Sequence, residues 1–419
     1  MALIPLAEVQ AAIFGAVTRL EPLEVDLRDA LGLVLAEQVT APEAVPPFPN
    51  TAMDGYAVRA ADTAGAAEGA PVRLRVVGEL AAGHAPVVAV GAGEAIRIMT
   101  GAPMPDGADA IVMVERTERD PSVAGDEGVF ITLEVEPGLH VRRAGGDLDA
   151  GDVVFEPGTV LTAARIGVLA TVGARRVLAY PRVRVGVLST GDELVDAPIE
   201  AGPLEPGKIR DSNRPMLLAQ LSDAGAEPLD LGAAHDDADV MTRTLADAVE
   251  RCDAVITSGG VSVGDFDYVS DALERIARDD ETRASRVDWY QVAIKPAKPL
   301  CIGMLQGTPV FGLPGNPVSS FVSFELFARP ALRMMMGHDQ PFRREVLATA
   351  GSPLRRRVDG KLHLDRVVVD VVDGAYVATG VRSQESNALA ASAAANGFAL
   401  LPDGEGVDTG EPVTVMLLD

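Results

Sequence analysis

The pattern of apolar and polar residues changes several times along the 419 residues of the chain. Between residues 9 and 20 apolar residues recur at helical spacing, and a second short helix is predicted over 27–39. The proline-rich stretch 41–50 indicates a boundary, because clustered prolines interrupt regular structure. From 51 to 149, short alternating runs separated by glycine and proline predict an all-β domain.

Longer units follow this β region. An apolar helical segment over 151–173 leads into alternating short strands and helices. The predicted strands are 183–188, 228–231, 254–256 and 309–313, and the predicted helices are about 212–223, 237–252 and 268–277. Strands that alternate with helices of this length predict a mostly parallel α/β sheet. After a helix ending near residue 336, the pattern again predicts β-strands, with a turn at Asp373 and Gly374 and a terminal strand.

Three glycine-rich loops directly follow three of the predicted strands. They are STGDEL at 189–194, TSGGVSVGDFDY at 257–268 and LPGNPVSS at 313–320. Ligands of open α/β sheets bind beyond the carboxyl ends of the strands, so the loops are expected to converge on one crevice. One such loop is more often a plain turn, but three at strand ends of one domain favour a binding site. The predicted cofactor-binding residues in these loops are Ser189, Thr190, Gly191, Ser258, Gly259, Gly260, Ser262, Gly264, Pro314, Gly315, Asn316, Pro317 and Ser319.

The chemistry of these loops is complementary. Glycines let backbone N–H groups approach an anion, so TSGGVSVG is typical of a phosphate cradle. Asp192, Glu193, Asp265 and Asp267 supply carboxylates, which beside a phosphate loop point to a bridging Mg²⁺. The Asn-Pro pair of LPGNPVSS predicts an N-cap and the first residue of a buried helix whose N–H groups face the same crevice. A simple helix start is the alternative interpretation.

The composition narrows the possible classes of function. A chain of 43.6 kDa with 47% hydrophobic residues is long enough for three or more domains. The formal charge of -25 argues against a nonspecific nucleic-acid binder, which needs clustered Lys and Arg. Cys252 and Cys301 are predicted to be buried, and the five histidines lack metal-ligand spacing. Without a basic region before the apolar start, or an apolar run approaching about 18 residues, a cytoplasmic protein is expected.

Lysines are few and unevenly placed. Lys208, Lys295, Lys298 and Lys361 are the four in the chain, and two of them lie three positions apart in AIKPAKPL. The prolines there rule out a regular helix. Two compact ammonium groups in a stiff segment predict binding of phosphate or another oxyanion. A solvated basic turn is the alternative.

Two motifs inside the β region contain further candidate residues. NTAMDGYAVR places Asp54 before a glycine and a tyrosine, and IRIMTGAPMPDGADAIVM places Thr100 where a strand enters a loop. From these residues alone, each motif is more often a turn than a site.

Seven motifs occur in order over nearly the whole chain. They are PPFPNTAMDGYAVR, IRIMTGAPMPDGADAIVMVE, VGVLSTGDEL, TSGGVSVGDFDY, AIKPAKP, LPGNPVSS and SNALAASAAANGFALLP. Together they resemble the molybdopterin molybdenumtransferase family, which comprises the MoeA proteins and gephyrin E domains. The resemblance implies an enzyme that takes adenylylated molybdopterin and molybdate and inserts molybdenum at the dithiolene sulfurs. It further implies that Mg²⁺ is required and that the phosphoanhydride is cleaved with release of AMP.

The resemblance also implies roles for individual residues. The implied catalytic residues are Glu193, Asp267, Asp54, Thr100, Asp147 and Lys295. Lys298, Pro314, Pro317 and Ser386 are implied at the cofactor, and either Asp236 or Asp237 joins the expected metal ligands. In the family, the MDGYA domain of one subunit faces the α/β domain of the other. A homodimer is therefore expected, with contacts to a molybdopterin adenylyltransferase and to acceptor molybdoenzymes.

The family architecture implies four domains in this chain. They are an elongated helical and β domain at 1–42 and 150–178, an inserted β domain at 43–149, an α/β molybdopterin-binding domain at 179–329 and a C-terminal β-barrel at 330–419. Molybdopterin adenylyltransferases are an alternative, but they usually consist of the α/β domain alone. Amidases of the competence-damage type share the STGDEL strand and lack MDGYA and LPGNPVSS. A non-enzymatic molybdopterin-binding scaffold is a third alternative, although these 419 residues show no sign of the linker and partner domain expected of a fused scaffold.

Overall fold

The computed structural model describes residues 2–120, 127–196, 203–235, 237–259, 268–280 and 285–418. The chain divides into two compact units. The first unit contains Met1–Val25, Gly32–Ala36 and Leu178–Asp419, and the second contains Asp26–Leu31 and Glu37–Val177. In the part of the chain that is described, no helix is both long and apolar enough to span a membrane.

A six-stranded sheet forms the centre of the second unit. Its strands, in order across the sheet, are Ala110–Met113, Gly55–Val58, Glu94–Ile98, Val72–Leu80, Gly128–Ile131 and Thr117–Asp120. All neighbours are antiparallel except Val72–Leu80 and Glu94–Ile98, which run parallel. Because successive side chains point to opposite faces, Tyr56 packs into one core and Ala57 into another. The described residues of 43–149 contain no α-helix, which confirms the predicted all-β character.

Shorter elements complete the second unit. Strand Val39–Thr40 pairs with Val153–Phe155, and Asn50–Thr51 pairs with Val141–Arg142. The helix Ala163–Thr171 begins after Thr162, whose hydroxyl oxygen accepts a hydrogen bond from the Arg165 N–H at 3.5 Å. This helix confirms the helical segment predicted within 151–173.

The N-terminal helix Leu6–Phe14 is shorter than the apolar pattern predicted. Val9 and Ile13 are buried on its inner face. Val17 and Leu20 lie beyond the end of the helix, yet they pack against the same core. The apolar period therefore reports burial correctly but overestimates the helix length.

The second helix predicted, over 27–39, is wrong. This part of the chain forms a 3₁₀ turn, Leu27–Asp29, followed by the strands Val34–Leu35 and Val39–Thr40. Gly32 between them has a φ of +81°, which a helix does not accommodate. Val34 and Leu35 are fully buried where they pair with the strand Arg176–Tyr180, so tertiary pairing outweighs the local helical pattern.

A second six-stranded sheet forms the α/β part of the first unit. In order across the sheet, its strands are Glu227–Ala234, Arg184–Thr190, Ala254–Ser258, Thr308–Leu313, Pro299–Leu305 and Arg286–Gln291. The first four are parallel and the last two are antiparallel, which confirms a mostly parallel sheet. The helices Asn213–Asp223, Ala238–Arg251 and Tyr268–Asp279 agree with the predicted helices to within about two residues.

Both faces of this sheet are buried. Val185 and Val187 pack into one core, and Leu188 and Val255 pack into the core on the opposite face. Such continuous apolar strands are typical of parallel sheets covered by helices on both sides. Cys252 and Cys301 are buried in the second of these cores, as predicted.

A long helical segment follows the strand Thr308–Leu313. It consists of the helix Pro317–Ser323, a π-helical turn Phe324–Ala328 and the helix Arg329–Met335. Its end agrees with the end predicted near residue 336. The segment is almost completely buried, including Glu325, which receives hydrogen bonds from Arg343 at 2.9 and 3.4 Å. The buried carboxylate is therefore paired with a guanidinium group, as burial of charge requires.

A closed five-stranded barrel follows in the C-terminal region. Its strands, in order around the barrel, are Leu362–Val372, Ala375–Gly380, Glu345–Ala350, Pro412–Leu417 and Gly397–Leu401, and the last pairs with the first. Asp373 and Gly374 have φ angles of +50° and +80°, so the predicted hairpin turn is confirmed. The short strand Ile294–Lys295 joins the barrel by pairing with Leu362 and His363.

Candidate active site

The three glycine-rich loops meet at the carboxyl edge of the α/β sheet. Their strands are adjacent, so the ends at Thr190, Ser258 and Leu313 lie side by side. The Gly259 N–H donates to the Leu313 carbonyl at 3.0 Å, and the Thr190 hydroxyl donates to the Ser258 carbonyl at 3.4 Å. A Cβ added to Gly315 would lie 3.7 Å from the Gly259 Cα. The structure therefore confirms that the described parts of the three loops converge, and their binding of a ligand stays a prediction.

Two glycines are required by the geometry of this crevice. Gly259 has a φ of +97°, and a Cβ there would lie 2.8 Å from both the carbonyl and the hydroxyl oxygen of Thr190. Gly191 has a φ of +138°, and a Cβ there would lie 2.5 Å from a carboxylate oxygen of Glu193. A side chain is excluded at Gly259 by the backbone of Thr190, and at Gly191 it is disfavoured by the positive φ, so only backbone occupies these two positions.

The serines of the crevice differ in accessibility from its glycines. Ser189 is completely buried and Ser258 is 3% exposed, whereas Gly315 is exposed. Among the described residues, the Ser189 hydroxyl has no hydrogen-bond partner. Cofactor contact by Ser189 stays a prediction, and its burial limits any such contact from its side chain.

The predicted carboxylates occupy different environments. Asp192 and Glu193 are exposed on the loop after Thr190, and Asp192 lies 3.1 Å from the Nδ1 atom of His235. Asp237 instead accepts hydrogen bonds from the N–H groups of Asp239 and Val240 at the start of a helix. These capping bonds account for Asp237 without a metal, and its role as a ligand stays a prediction.

Several predicted site residues lie outside the described residues, namely Asp236, Gly260, Ser262, Gly264, Asp265 and Asp267. Within the described ranges, no group of three or more His, Cys, Asp or Glu side chains is arranged to hold a metal ion. The described carboxylates at the crevice, Asp192 and Glu193, therefore offer a partial set of ligands. Partial sets suit Mg²⁺, which usually binds through one or two carboxylates together with substrate phosphates.

A large cavity of about 800 Å³ lies between the α/β sheet and the barrel within the first unit. It is lined by the segment 294–299, by residues 384–387, and by Asn316, Ser319 and Lys361. The cavity thus brings together the predicted residues Lys295, Lys298, Asn316, Ser319 and Ser386. Lys361 also lines the cavity, although it was not selected as a site residue from the sequence. The small number of lysines in the chain was a signal that could have drawn attention to it.

The charge of this cavity is mainly positive. Lys295 and Lys298 are exposed, and Lys361 lies 3.3 Å from Asp359. Glu385 also lines the cavity, so the three ammonium groups are partly balanced. Burial holds the pKa of His363 below its usual value, so this ring next to Asp359 adds no positive charge at neutral pH.

The start of the helix Pro317–Ser323 forms one wall of the cavity. The helix begins at Pro317 as predicted, but the Asn316 side chain makes no capping hydrogen bond, contrary to expectation. The carbonyl oxygen of Asn316 accepts from the Ser320 N–H at 2.9 Å, and the Asn316 residue lines the cavity. Pro317 at the first helical position has no N–H group, so the first turn has one fewer donor without an intrahelical partner.

A buried arginine holds the loop that carries Ser386. Arg366 is 1% exposed, and its guanidinium donates to the carbonyl oxygens of Glu385 and Ala388 at 3.0 and 2.8 Å. The Ser386 carbonyl in turn accepts from the Val318 N–H at 3.1 Å, which attaches the loop to the helix. Nothing in the sequence was a reason to select Arg366, because a single arginine in a strand does not indicate that its side chain will bind the loop at 385–388.

The second unit contains a separate pair of predicted residues. The Thr100 N–H and hydroxyl both donate to one Asp54 carboxylate oxygen, each at 2.7 Å. These two hydrogen bonds, the hydroxyl first and the N–H second, hold the pKa of Asp54 below its usual range. Asp54 is therefore ionised at neutral pH. Asp147 is exposed, and its backbone N–H donates to the Val45 carbonyl at 2.9 Å. The catalytic role of Asp147 stays a prediction.

The fold defines a multidomain protein with a mostly parallel α/β domain and a C-terminal β-barrel. Three family models match the chain. The MoeA N-terminal region, domains I and II, matches residues 4–173, a probable molybdopterin binding domain matches 186–334, and the MoeA C-terminal region, domain IV, matches 355–418. Molybdopterin molybdenumtransferase 2 of Mycobacterium tuberculosis is 40% identical over 398 residues, which cover 94% of this chain and 95% of the relative.

Other relatives extend this similarity to different organisms. The molybdopterin molybdenumtransferase of Bacillus subtilis is 36% identical over 397 residues, covering 94% of this chain and 89% of its own. The crystal structure of a molybdopterin biosynthesis MoeA protein from Pyrococcus horikoshii superimposes with a TM-score of 0.79 at 32% identity, over 100% of both chains. The chain belongs to the molybdopterin molybdenumtransferase family.

Proposed function

We propose that the protein inserts molybdenum from molybdate into adenylylated molybdopterin. In this reaction the phosphoanhydride is cleaved with the help of Mg²⁺, and AMP is released. Membership of the family supports molybdenum transfer to molybdopterin as the overall activity. The finer steps rest on the chemistry of the crevice and of the cavity lined by Lys295, Lys298 and Lys361, which we call the lysine cavity.

The observation that carries this proposal is the pairing of two anion-binding features within one unit. The loops bring backbone that is half-buried at Gly191 and Gly259 and exposed at Gly315 to the carboxyl edge of the sheet, where phosphate groups bind in α/β proteins. Lys295 and Lys298 line the cavity, where point charges suit an oxyanion such as molybdate. A substrate with phosphates and an oxyanion as second reactant match this combination.

Asp192 and Glu193 are the described residues that we propose as ligands of Mg²⁺. Both carboxylates are exposed at the end of the strand Arg184–Thr190, and hard oxygen donors suit this ion. When bound, Mg²⁺ would neutralise charge that develops on the phosphoanhydride. His235 would orient Asp192 through their contact at 3.1 Å. The bonds from Thr100 lower the pKa of Asp54 further below neutral pH, so Asp54 would accept hydrogen bonds or positive charge and would not serve as a proton donor.

We further propose a cytoplasmic homodimer that contacts a molybdopterin adenylyltransferase and acceptor molybdoenzymes. The family resemblance supports the dimer. Analytical ultracentrifugation tests it, since a chain of 43.6 kDa sediments as a species of twice that mass if it pairs. A single species at the mass of one chain over the working concentration range would contradict the dimer.

The test of the activity measures AMP released from adenylylated molybdopterin in the presence of molybdate and Mg²⁺. We expect AMP release to require the protein and both ions. Omission of molybdate and chelation of Mg²⁺ are the controls. A molybdopterin adenylyltransferase would instead release pyrophosphate from ATP and molybdopterin, and a scaffold would bind molybdopterin without releasing AMP. Either of these results would contradict the proposed function.

A further inference from the structure

Asn213 connects two of the three glycine-rich loops, although it belongs to neither. It is the first residue of the helix Asn213–Asp223. Its Nδ2 atom donates to the Ser258 hydroxyl oxygen at 2.8 Å and to the Gly315 carbonyl oxygen at 2.8 Å. One amide nitrogen with two hydrogens therefore ties the TSGG loop to the LPGN loop. The side chain lies in a residue that is only 8% exposed, so these bonds are shielded from water.

We infer that Asn213 is a positioning residue that aims the hydrogen-bond donors of both loops at the bound molybdopterin substrate. This inference rests on the proposed function, because it concerns the same crevice. Two steps of stereochemistry support it, one for each hydrogen bond.

The first step concerns the Ser258 hydroxyl. A hydroxyl oxygen that accepts a hydrogen bond from Asn213 must direct its own hydrogen toward some other acceptor. Asn213 thereby keeps Ser258 in the role of a donor. Ser258 ends its strand at the crevice, where the adjacent Gly259 brings the backbone of the loop against Thr190. Ser258 is 3% exposed, so on this inference an oxygen of the anionic ligand must enter the crevice far enough to meet this donor.

The second step concerns the peptide group between Gly315 and Asn316. The carbonyl oxygen of Gly315 points toward Asn213, because it accepts the hydrogen bond. In a trans peptide the C=O and N–H bonds point in opposite directions, so the N–H of Asn316 is directed away from Asn213. Asn316 lines the lysine cavity. The same amide therefore sets the direction of a backbone donor on the second loop.

Gln220 offers a matched control on the same helix. It carries the same amide group, is also 8% exposed, and donates to the Glu325 carboxylate at 3.1 Å, away from both loops. Binding of molybdopterin is measured by titration for the wild-type chain, Asn213→Ala and Gln220→Ala, together with thermal melting. We expect Asn213→Ala to bind about tenfold more weakly and Gln220→Ala to bind within about twofold of wild type, with comparable losses of melting temperature.

Asn213→Asp supplies a readout that a structural role would not change. An ionised carboxylate cannot donate to the Gly315 carbonyl, but a protonated carboxyl group can. Relative to wild type at the same pH, molybdopterin binding by Asn213→Asp should recover about fivefold between about pH 8 and about pH 5, because burial raises the pKa of a carboxyl group. Asn213→Ala should show no such recovery.

The possible outcomes separate the inference from the proposed function. If the wild-type chain does not bind molybdopterin, the proposed function is wrong and the inference is overturned with it. If the wild-type chain binds and Asn213→Ala binds equally well, only the inference is overturned. The same holds if Gln220→Ala weakens binding as much as Asn213→Ala, or if Asn213→Asp shows no dependence on pH beyond that of wild type.

Discussion

The Asp54 region of the second unit and the lysine cavity of the first unit are assembled in different ways. Asp54 and Thr100 flank two paired antiparallel strands, in which Gly55 lies opposite Ile98. The pairing of two neighbouring strands is enough to bring the carboxylate to its donors. The lysine cavity instead requires four segments that are far apart in sequence, from the α/β sheet and from the barrel.

The two regions also hold their charge differently. Asp54 is a single carboxylate stabilised by two neutral donors of one residue, whereas the cavity gathers three of the four lysines of the chain. The pairing of neighbouring strands therefore determines the environment of the Asp54 carboxylate, whereas tertiary packing of distant segments brings the lysines of the cavity together. Changes to contacts between segments should damage the cavity and leave the Asp54 region intact.

The largest effect is expected from the double variant Lys295→Ala with Lys298→Ala. Removing two ammonium groups from the cavity should weaken molybdate binding by about 100-fold at low salt, since each charged hydrogen bond contributes about 1.5 kcal/mol. The difference from wild type should shrink as salt rises, because salt screens the attraction. Isothermal titration with molybdate measures both effects.

Asp54→Asn is the control from the other region. It should leave molybdate binding within about twofold of wild type, because it removes no cation from the cavity. If the double lysine variant binds molybdate normally at low salt, the two lysines form only a solvated turn. The contrast between the two regions would then fail.

A smaller effect is expected from the glycines of the crevice. Gly259→Ala should lower the free energy of unfolding by about 2 kcal/mol, because its φ of +97° is strained for alanine and the new Cβ would lie 2.8 Å from Thr190. Gly315→Ala is the matched control, since its Cβ would make an ordinary contact at 3.7 Å. Urea denaturation compares the two variants, and equal losses of stability would contradict the assignment of Gly259.

The architecture could be predicted from the chain where burial and local pattern agree. The helix Ala238–Arg251 follows the apolar period, with Met241, Leu245 and Ala248 buried on one face, and the glycines mark the strand ends. The helix predicted over 27–39 failed because Val34 and Leu35 are buried by pairing with a strand more than a hundred residues away. The spacing of apolar residues depends only on the local sequence, so it carries no information about the distant strand Arg176–Tyr180.

The candidate site could be predicted only in part for the same reason. The glycine-rich loops and Lys295 can be recognised from local composition. Asn213 and Arg366 instead form hydrogen bonds with residues 102 and 22 positions away. Asparagine is common at helix starts, and nothing in the immediate sequence around Asn213 or Arg366 distinguishes these two residues. The fold supplies the distances that give these residues their roles.

Asp237 provides a third test, because it resembles Asp54 in accepting two hydrogen bonds. Those to Asp237 come from the N–H groups of Asp239 and Val240, at 2.9 and 2.8 Å. Asp237→Ala should lower the free energy of unfolding by about 1 kcal/mol, whereas Asp237→Asn keeps the cap and should be nearly as stable as wild type. Mg²⁺ titration of AMP release then distinguishes the roles. Asp237→Asn keeps the capping oxygen but removes the negative charge. A higher Mg²⁺ concentration at half-maximal AMP release in this variant would support Asp237 as a metal ligand, and an unchanged midpoint would contradict that role.

The smallest effect concerns the pKa of Asp54 itself. The hydroxyl and the N–H of Thr100 stabilise the ionised carboxylate, so its pKa lies below the ordinary value of 3.8. Thr100→Val removes the hydroxyl, the larger of the two causes, and should move the pKa of Asp54 upward toward that value. Thr100→Ser keeps the donor and should leave the pKa unchanged.

The same shift predicts how the free energy of unfolding depends on pH. Because the folded pKa of Asp54 is lowered, the stabilisation of the fold by this carboxylate is present above pH 3.8 and is lost as the pH falls through the folded pKa. The free energy of unfolding of Thr100→Val should therefore fall less in that window than that of wild type. A ¹³C NMR titration of the Asp54 carboxyl group measures the shift directly. Identical titration of Asp54 in wild type and Thr100→Val would show that the acid is not set by its local pairing, and the contrast with the cavity would lose its basis.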